Sequence, residues 1–212
     1  RCMNVLLLRL IAPMQSWGVQ SRFSIRDTGL EPSKSGVIGL LCAALGRPRH
    51  APIADLAALR MGVRVDREGK MAYDFHTAQN VLKASGGNKD TEPSRRYYLA
   101  DAAFTVGLEH SDLAFLQTIN QALQNPVWPL YLGRKAFVPS APIGQEDGIK
   151  AEAVLEVALQ PEPLPARPLR LVIENPAGSE VRPDQPVCFI SDQRQFAPRR
   201  VATTFTQAAK EE

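Results

Sequence analysis

One stretch constrains the fold more than any other, and it is the helix predicted over residues 31–47, EPSKSGVIGLLCAALGR. Between Val37 and Leu45 this helix is apolar on almost every side. A helix without a polar face is stable only when other elements cover it, so it must be buried. Its entrance is polar instead, with Pro32, Ser33, Lys34, Ser35 and Gly36. Such residues favour an anion at a helix N-terminus, because amide groups and partial positive charge are available there.

The size and charge of the chain leave several functions open. Its 212 residues fit one domain with elaborations, or one domain and a smaller second one. A net charge of +3 permits a nucleic-acid partner without requiring one. The three cysteines have no metal-ligand spacing, and the first apolar run, at residues 5–8, is too short to span a membrane. We therefore expect a cytoplasmic protein without a metal, a cofactor or a membrane partner.

Apolar periodicity predicts an α+β fold. A continuous apolar strand at residues 5–11 precedes the helix, and the alternating segments 61–65 and 71–75 are predicted to form a hairpin. Next come a strand at 98–108 and a helix whose predicted cap is Ser111. Further strands are predicted at 154–159, 169–173 and 187–190. This order gives a ferredoxin-like βαββαβ core over residues 1–150 and a smaller β-rich C-terminal extension over 151–212.

Residues 77–97 interrupt this pattern. The segment TAQNVLKASGGNKDTEPSRRY holds four cations and two anions and few large apolar side chains. It cannot form a core of its own, so it projects into solvent or into a partner.

Motifs for catalysis are absent from the sequence. A Walker A motif needs glycine at positions 28 and 33 before Lys34 and Ser35, but Thr28 and Ser33 stand there. The three histidines have no zinc-ligand spacing, and no serine lies in a nucleophile elbow. These observations set aside a nucleotidase, a zinc site and a serine nucleophile.

The surviving signal is a group of cations near the helix entrance. Arg22, Arg26 and Lys34 lead into the helix, and Arg134 and Lys135 follow a glycine in a second loop. These side chains suit phosphate contacts, which position a nucleic acid but do not read its sequence. The alternative is that Ser33 or Ser35 merely caps the helix and the arginines are solvated.

Four segments together carry a family resemblance. LRLIAPMQSWG, PSKSGVIGLLCAALG, YYLADAAFTVGLE and PLYLGRKAFVPSAPI, spread over residues 7–143, closely resemble the fifth family of CRISPR-associated proteins, within the repeat-associated RNA-binding superfamily. The C-terminal third matches more loosely. The resemblance implies a ferredoxin-like RNA-recognition core with a projecting thumb hairpin at residues 77–97. It also implies a subunit of the type I-E surveillance complex, Cascade, that is a scaffold and not an enzyme, since those systems use a separate endonuclease subunit.

The same resemblance implies the partners. The chain would hold the 5′ handle of the CRISPR RNA, cap the filament of backbone subunits, contact the large subunit and meet target DNA through the complex. Handle phosphates are expected near the helix entrance, and base edges near residues 15–17. The expected RNA-binding residues are Gln15, Ser16, Trp17, Arg22, Arg26, Lys34, Ser35, Gly36, Arg95, Arg96, Arg134 and Lys135.

Two alternatives remain at this stage. Relatives in type I-C systems cut repeat RNA themselves, and such metal-independent cleavage needs a general base and a cation. Tyr73, His76 and Lys83 could supply these groups. The other alternative is an assembly subunit that contacts only proteins.

Overall fold

A computed structural model describes residues 2–19, 24–82 and 86–209 of the protein. The elements in chain order are β1 (Asn4–Ile11), β2 (Met14–Gln15), β3 (Ile25–Arg26), α1 (Lys34–Leu45), α2 (Ala54–Ala57), β4 (Arg60–Arg67), β5 (Lys70–Leu82), β6 (Asn88–Ala100), β7 (Ala103–His110), α3 (Leu113–Gln124), β8 (Ile149–Lys150), α4 (Leu155–Ala158), β9 (Arg170–Glu174), β10 (Glu180–Cys188) and β11 (Gln195–Phe205). A short 3-10 turn covers Ser191–Gln193. No helix among the described residues is long and apolar enough to cross a membrane.

A seven-stranded sheet forms the centre of the molecule. Its order is β10-β11-β9-β4-β7-β1-β8, and each neighbouring pair is antiparallel. Strands β4, β7, β1 and β8, with α1 and α3 between them in sequence, follow the strand order of a βαββαβ unit. The predicted α+β class is confirmed. The C-terminal strands extend this same sheet, because β9 pairs with β4.

The two long helices cover one face of the sheet. Alternate residues of β1 pack beneath them, and Leu6, Leu8 and Leu10 are fully buried. Asp112 is the N-cap of helix α3, and its side chain accepts a hydrogen bond from Phe115 N at 3.1 Å. The predicted cap at Ser111 is therefore wrong by one residue.

The other face of the sheet is covered by α4. Gly62 and Gly107 lie opposite each other on β4 and β7, and their missing side chains leave room for Leu155 and Leu159. The prediction of a strand at 154–159 is wrong, since this segment packs as a short helix against an apolar sheet face. The sheet surface that an RNA-recognition fold can offer to RNA is thus partly occupied here.

Strands β5 and β6 form a long hairpin of 13 residues a strand. The prediction that 61–65 and 71–75 pair with each other is wrong, because β4 pairs with β7 and β9 while β5 pairs with β6. The alternation in β5 separates two faces of this hairpin, and Tyr73 and Phe75 are 56% and 62% exposed on one of them. The hairpin is longer than the predicted 77–97 segment at both ends, and β6 ends at Ala100, before β7 begins.

Candidate nucleic-acid interface

The entrance of α1 is occupied by a carboxylate from the far end of the chain. Ser33 caps the helix by accepting a hydrogen bond from Gly36 N at 3.3 Å. Lys34 N donates to Asp184 Oδ2 at 2.7 Å. Because Asp184 lies on β10 and is 3% exposed, its charge already meets the positive end of the helix. The anion that the sequence predicts here is supplied from within the chain.

The side chain of Lys34 is also committed internally. It is 1% exposed, and its Nζ lies 2.9 Å from Glu174 Oε2 on β9. Burial lowers the pKa of Lys34, although the hydrogen bond and charge of Glu174 act in the opposite direction. Arg199 completes the group with two hydrogen bonds to Asp184, at 2.7 and 3.0 Å. The expected phosphate contact of Lys34 does not fit this arrangement, since its ammonium group faces Glu174 rather than solvent.

Residues 15–17 are part of the core. Gln15 is 0% exposed and donates to Leu10 O at 3.0 Å and Ala102 O at 2.9 Å. Trp17 is 2% exposed, and its Nε1 donates to Gln15 Oε1 at 3.1 Å. Ser16 is also buried. These side chains hold the loop in place, so the expectation that they read base edges does not fit their burial.

Gly36 fits this packing rather than a ligand. A Cβ at position 36 would lie 2.9 Å from Trp17 Cε3 and 3.0 Å from Ser33 Oγ. The position therefore needs glycine so that the indole ring can pack against the first turn of α1.

Three arginines converge beside this loop. Arg26 and Arg96 are cross-strand partners on β3 and β6, and their side chains share one face of the hairpin. Arg134 reaches the same region, where its Nη2 donates to Tyr97 O at 2.8 Å. Burial lowers the pKa of Arg134, and the like charges of Arg96 and Arg26 lower it further, against the attraction of Asp74 and Asp27. An anionic ligand relieves the repulsion between such partly desolvated like charges.

A pocket of about 220 Å³ lies at the helix entrance, beside Arg134. Its lining includes Trp17, Ser35, Gly133, Arg134 and Arg194. At Gly133 φ is +96°, and a Cβ would lie 1.8 Å from Ser16 O, so only glycine allows the two loops to approach so closely. Lys135 follows as an exposed side chain.

Arg194 was missed by sequence reasoning. It follows the 3-10 turn between β10 and β11, and its guanidinium group lies 4.9 Å from the centre of the Phe196 ring. No local signal marks this residue, because only the extension of the sheet brings the C-terminal loop to the α1 entrance.

The structure places some of the remaining predicted RNA-binding residues near Arg134 and others away from it. Ser35 lines the pocket together with Arg134. Arg95 is exposed, and its side chain lies on the other face of the hairpin from that of Arg96. It is the cross-strand partner of Phe75, and its Cζ lies 6.0 Å from the centre of the Tyr73 ring. Arg22 lies outside the described residues. Arg26, Ser35, Arg96 and Arg134 therefore form one group with the neighbouring Lys135, and Arg95 does not join it.

The residues of the nuclease alternative do not converge. Tyr73 pairs with Tyr97 and His76 pairs with Ser94, so the two side chains lie on opposite faces of β5. His76 Nε2 lies 3.9 Å from Asp74 Oδ2 on its own face. Lys83 is outside the described residues. Within the described ranges, no group of three His, Cys, Asp or Glu side chains could hold a metal ion.

Comparison with known proteins gives a family match over most of the chain. The family described as CRISPR-associated protein (Cas_Cas5) matches residues 5–202. The chain is 33% identical to the CRISPR system Cascade subunit CasD of Escherichia coli strain K12 over 157 residues, which are 66% of this chain and 69% of the relative.

Two solved structures are also similar. One, described as a crystal structure of a Cas protein, is 44% identical, with 95% of this chain and 94% of that chain covered and a TM-score of 0.76. The other, described as a CRISPR RNA-guided surveillance complex, is 35% identical, with 96% of this chain and 90% of that chain covered and a TM-score of 0.81.

Proposed function

Because this chain belongs to the Cas5 family of CRISPR-associated proteins, we propose that it is a non-catalytic Cascade subunit that binds the 5′ handle of the CRISPR RNA. In the assembled complex it caps the filament of backbone subunits and contacts the large subunit. It meets target DNA only through that complex. A cytoplasmic location is part of the same proposal.

The observation that carries RNA binding is the convergence of Arg26, Arg96 and Arg134. Arg134 is partly buried next to two like charges, and phosphate oxygens are the ligands that satisfy such guanidinium groups with paired hydrogen bonds. These arginines lie on β3, on β6 and in the loop after α3 rather than at the amide groups of α1, which Asp184 and Ser33 engage.

The path of the handle that we propose follows the pocket and the cations beside it. Phosphates lie against Arg26, Arg96 and Arg134, with Lys135 at the exposed end. Ser35 and Arg194 also line the pocket. Buried Gln15 and Lys34 position this surface without lining the pocket, whereas Trp17 lines it from the core side.

The non-catalytic role is supported by the geometry of the hairpin. General acid–base cleavage needs its groups within hydrogen-bonding distance of one phosphate, and Tyr73 and His76 lie on opposite faces of β5. The subunit therefore acts as a scaffold for RNA that another protein processes.

Binding of a repeat-derived RNA oligonucleotide to the full chain tests the proposal. Fluorescence anisotropy across a salt series should show weaker binding for the double variant Arg96→Ala with Arg134→Ala. Each lost phosphate contact should reduce the slope of log K against log salt by about 0.7. Arg200→Ala, which removes an exposed arginine on β11, is the matched control. An unchanged slope in the double variant would place the phosphates elsewhere.

A further inference from the structure

An open groove of about 500 Å³ runs along the outer side of α1. We name it the α1 groove, and its floor is formed by Ser35, Gly39 and Ala43 of that helix. A Cβ at Gly39 would meet no atom within 4 Å. This side of an otherwise buried apolar helix is therefore uncovered by the described part of the chain.

The walls of the groove are aromatic. Trp128 and Tyr131 line one side and remain 43% and 37% exposed, and Phe189 also contributes to the lining. Large aromatic side chains that stay exposed around a concave surface are typical of protein interfaces, where they become the buried anchors.

The charges along the groove are positive. Arg49 and Arg194 both line it, and loss of water together with the like charge of Arg49 lowers the pKa of Arg194. Arg47 differs, because Asp55 pairs with it at 2.5 Å. Within the described residues no ion pair joins Arg49 or Arg194 to a carboxylate, so these two cations are available to a partner.

We propose that the α1 groove docks an acidic amphipathic segment of another protein subunit of the complex, with apolar side chains on Gly39 and Ala43 and a carboxylate facing Arg49 and Arg194. The inference rests on the proposed function, because it adds a protein contact beside the RNA pocket. The two sites are continuous, since Ser35, Gly133 and Arg194 line both.

The chemistry of the groove favours a polypeptide over its rivals. An RNA strand could reach the donors of Arg49 and Arg194, but it would also have to bury polar phosphate and sugar groups against the apolar floor at Gly39 and Ala43, which is costly. A second copy of the chain, docked symmetrically, would bring the same arginines face to face, and like charges oppose such pairing. An acidic segment with an apolar side satisfies both the walls and the charges.

The test fills the groove without disturbing the fold. Gly39→Leu enters open space and removes a helix glycine, so the melting temperature should stay the same or rise. Affinity for a repeat-derived RNA oligonucleotide should be unchanged. Native mass spectrometry of the co-expressed complex should show loss of one other protein subunit, with at least about tenfold weaker binding of that subunit. Gly39→Ala is the matched control and should retain it.

Charge reversal and crosslinking give independent readouts. Arg49 is exposed, and Arg49→Glu should weaken the binding of the same subunit more than Arg49→Gln does. A benzoylphenylalanine in place of Tyr131 should crosslink, within the purified complex, to a peptide of that subunit that contains Asp or Glu.

The other outcomes overturn the proposal. Reduced RNA affinity in Gly39→Leu, or a crosslink to RNA, would make the groove a base site. A crosslink to a second copy would make it a self-interface, and an unchanged complex would leave it without a partner. If the wild-type chain neither binds the RNA nor joins the complex, the proposed function itself fails.

Discussion

Asp184 Oδ2 accepts a hydrogen bond from Lys34 N at 2.7 Å, although 150 residues separate the two in sequence. The bond joins the C-terminal strands to the first turn of α1. Arg199 and Glu174 extend it into a buried group of two acids and two bases. The C-terminal strands therefore determine where the proposed RNA pocket begins, and one of their loops contributes Arg194 to it.

Asp184→Ala should destabilise the protein strongly. The change leaves the Arg199 guanidinium buried without its main partner and the Lys34 amide without an acceptor, and breaking a buried pair costs about 3–5 kcal/mol. Urea unfolding followed by circular dichroism measures the effect. Asp184→Asn keeps an acceptor for the amide and should lose less. A loss below about 1 kcal/mol in Asp184→Ala would contradict this role, because that is the range of an exposed ion pair.

Two glycines of α1 give opposite predictions. At Gly36 a methyl group would lie 2.9 Å from the Trp17 ring, so Gly36→Ala should lower stability and displace the loop that forms the RNA pocket. At Gly39 no atom lies within 4 Å, so Gly39→Ala should raise stability by up to about 1 kcal/mol through helix propensity alone. Thermal unfolding and RNA affinity of the two variants, compared side by side, check this. Equal effects at the two positions would show that the ring contact does not matter.

The sequence predicted local features of the fold and site more accurately than distant ones. The apolar helix after the polar entrance at residues 32–36 was predicted from neighbouring residues alone, and the structure agrees, with Ser33, one of the two candidate capping serines, as its cap. The anion at the helix entrance was also predicted, but not that Asp184 supplies it. A partner 150 residues away leaves no periodic signal.

The strand pairing was predicted wrongly where an alternation of apolar and polar residues has more than one structural cause. The pattern at 71–75 matches that of a half-buried strand, but in the hairpin it separates an exposed aromatic face from a polar one. Trp17 and Gln15 were predicted to contact RNA because a single-stranded handle exposes the faces and edges of its bases. Their mutual hydrogen bond, and the space that Gly36 leaves, place them in the core instead.

His76→Ala should leave guide RNA unchanged. His76 and Tyr73 lie on opposite faces of β5, so the two side chains cannot act together as acid and base at one phosphate. In cells that produce the whole complex, the abundance and the 5′ ends of the guide should match those of the wild type. Tyr73→Phe should behave in the same way. Loss of processed guide in His76→Ala, with the protein still folded, would establish the nuclease alternative.

Shortening the hairpin should separate folding from assembly. We expect replacement of residues 80–94 by a short Gly-Ser link to leave the core folded, because the pairs that tie β6 to the body involve residues 95, 96, 99 and 100. The distal part has few buried side chains among its described residues, so its order in the complex must come from a partner. The shortened protein should therefore keep a cooperative thermal transition and still bind a repeat-derived RNA weakly through Arg134.

The same variant should fail to join the backbone filament. A pull-down of the co-expressed complex measures this, and substitution of exposed Thr91 alone by Ser serves as a control that retains the hairpin. Normal assembly of the shortened protein would mean that the hairpin is only a loop. Loss of the thermal transition would mean that the hairpin belongs to the folded core, because its removal would then expose surface that the body needs to bury.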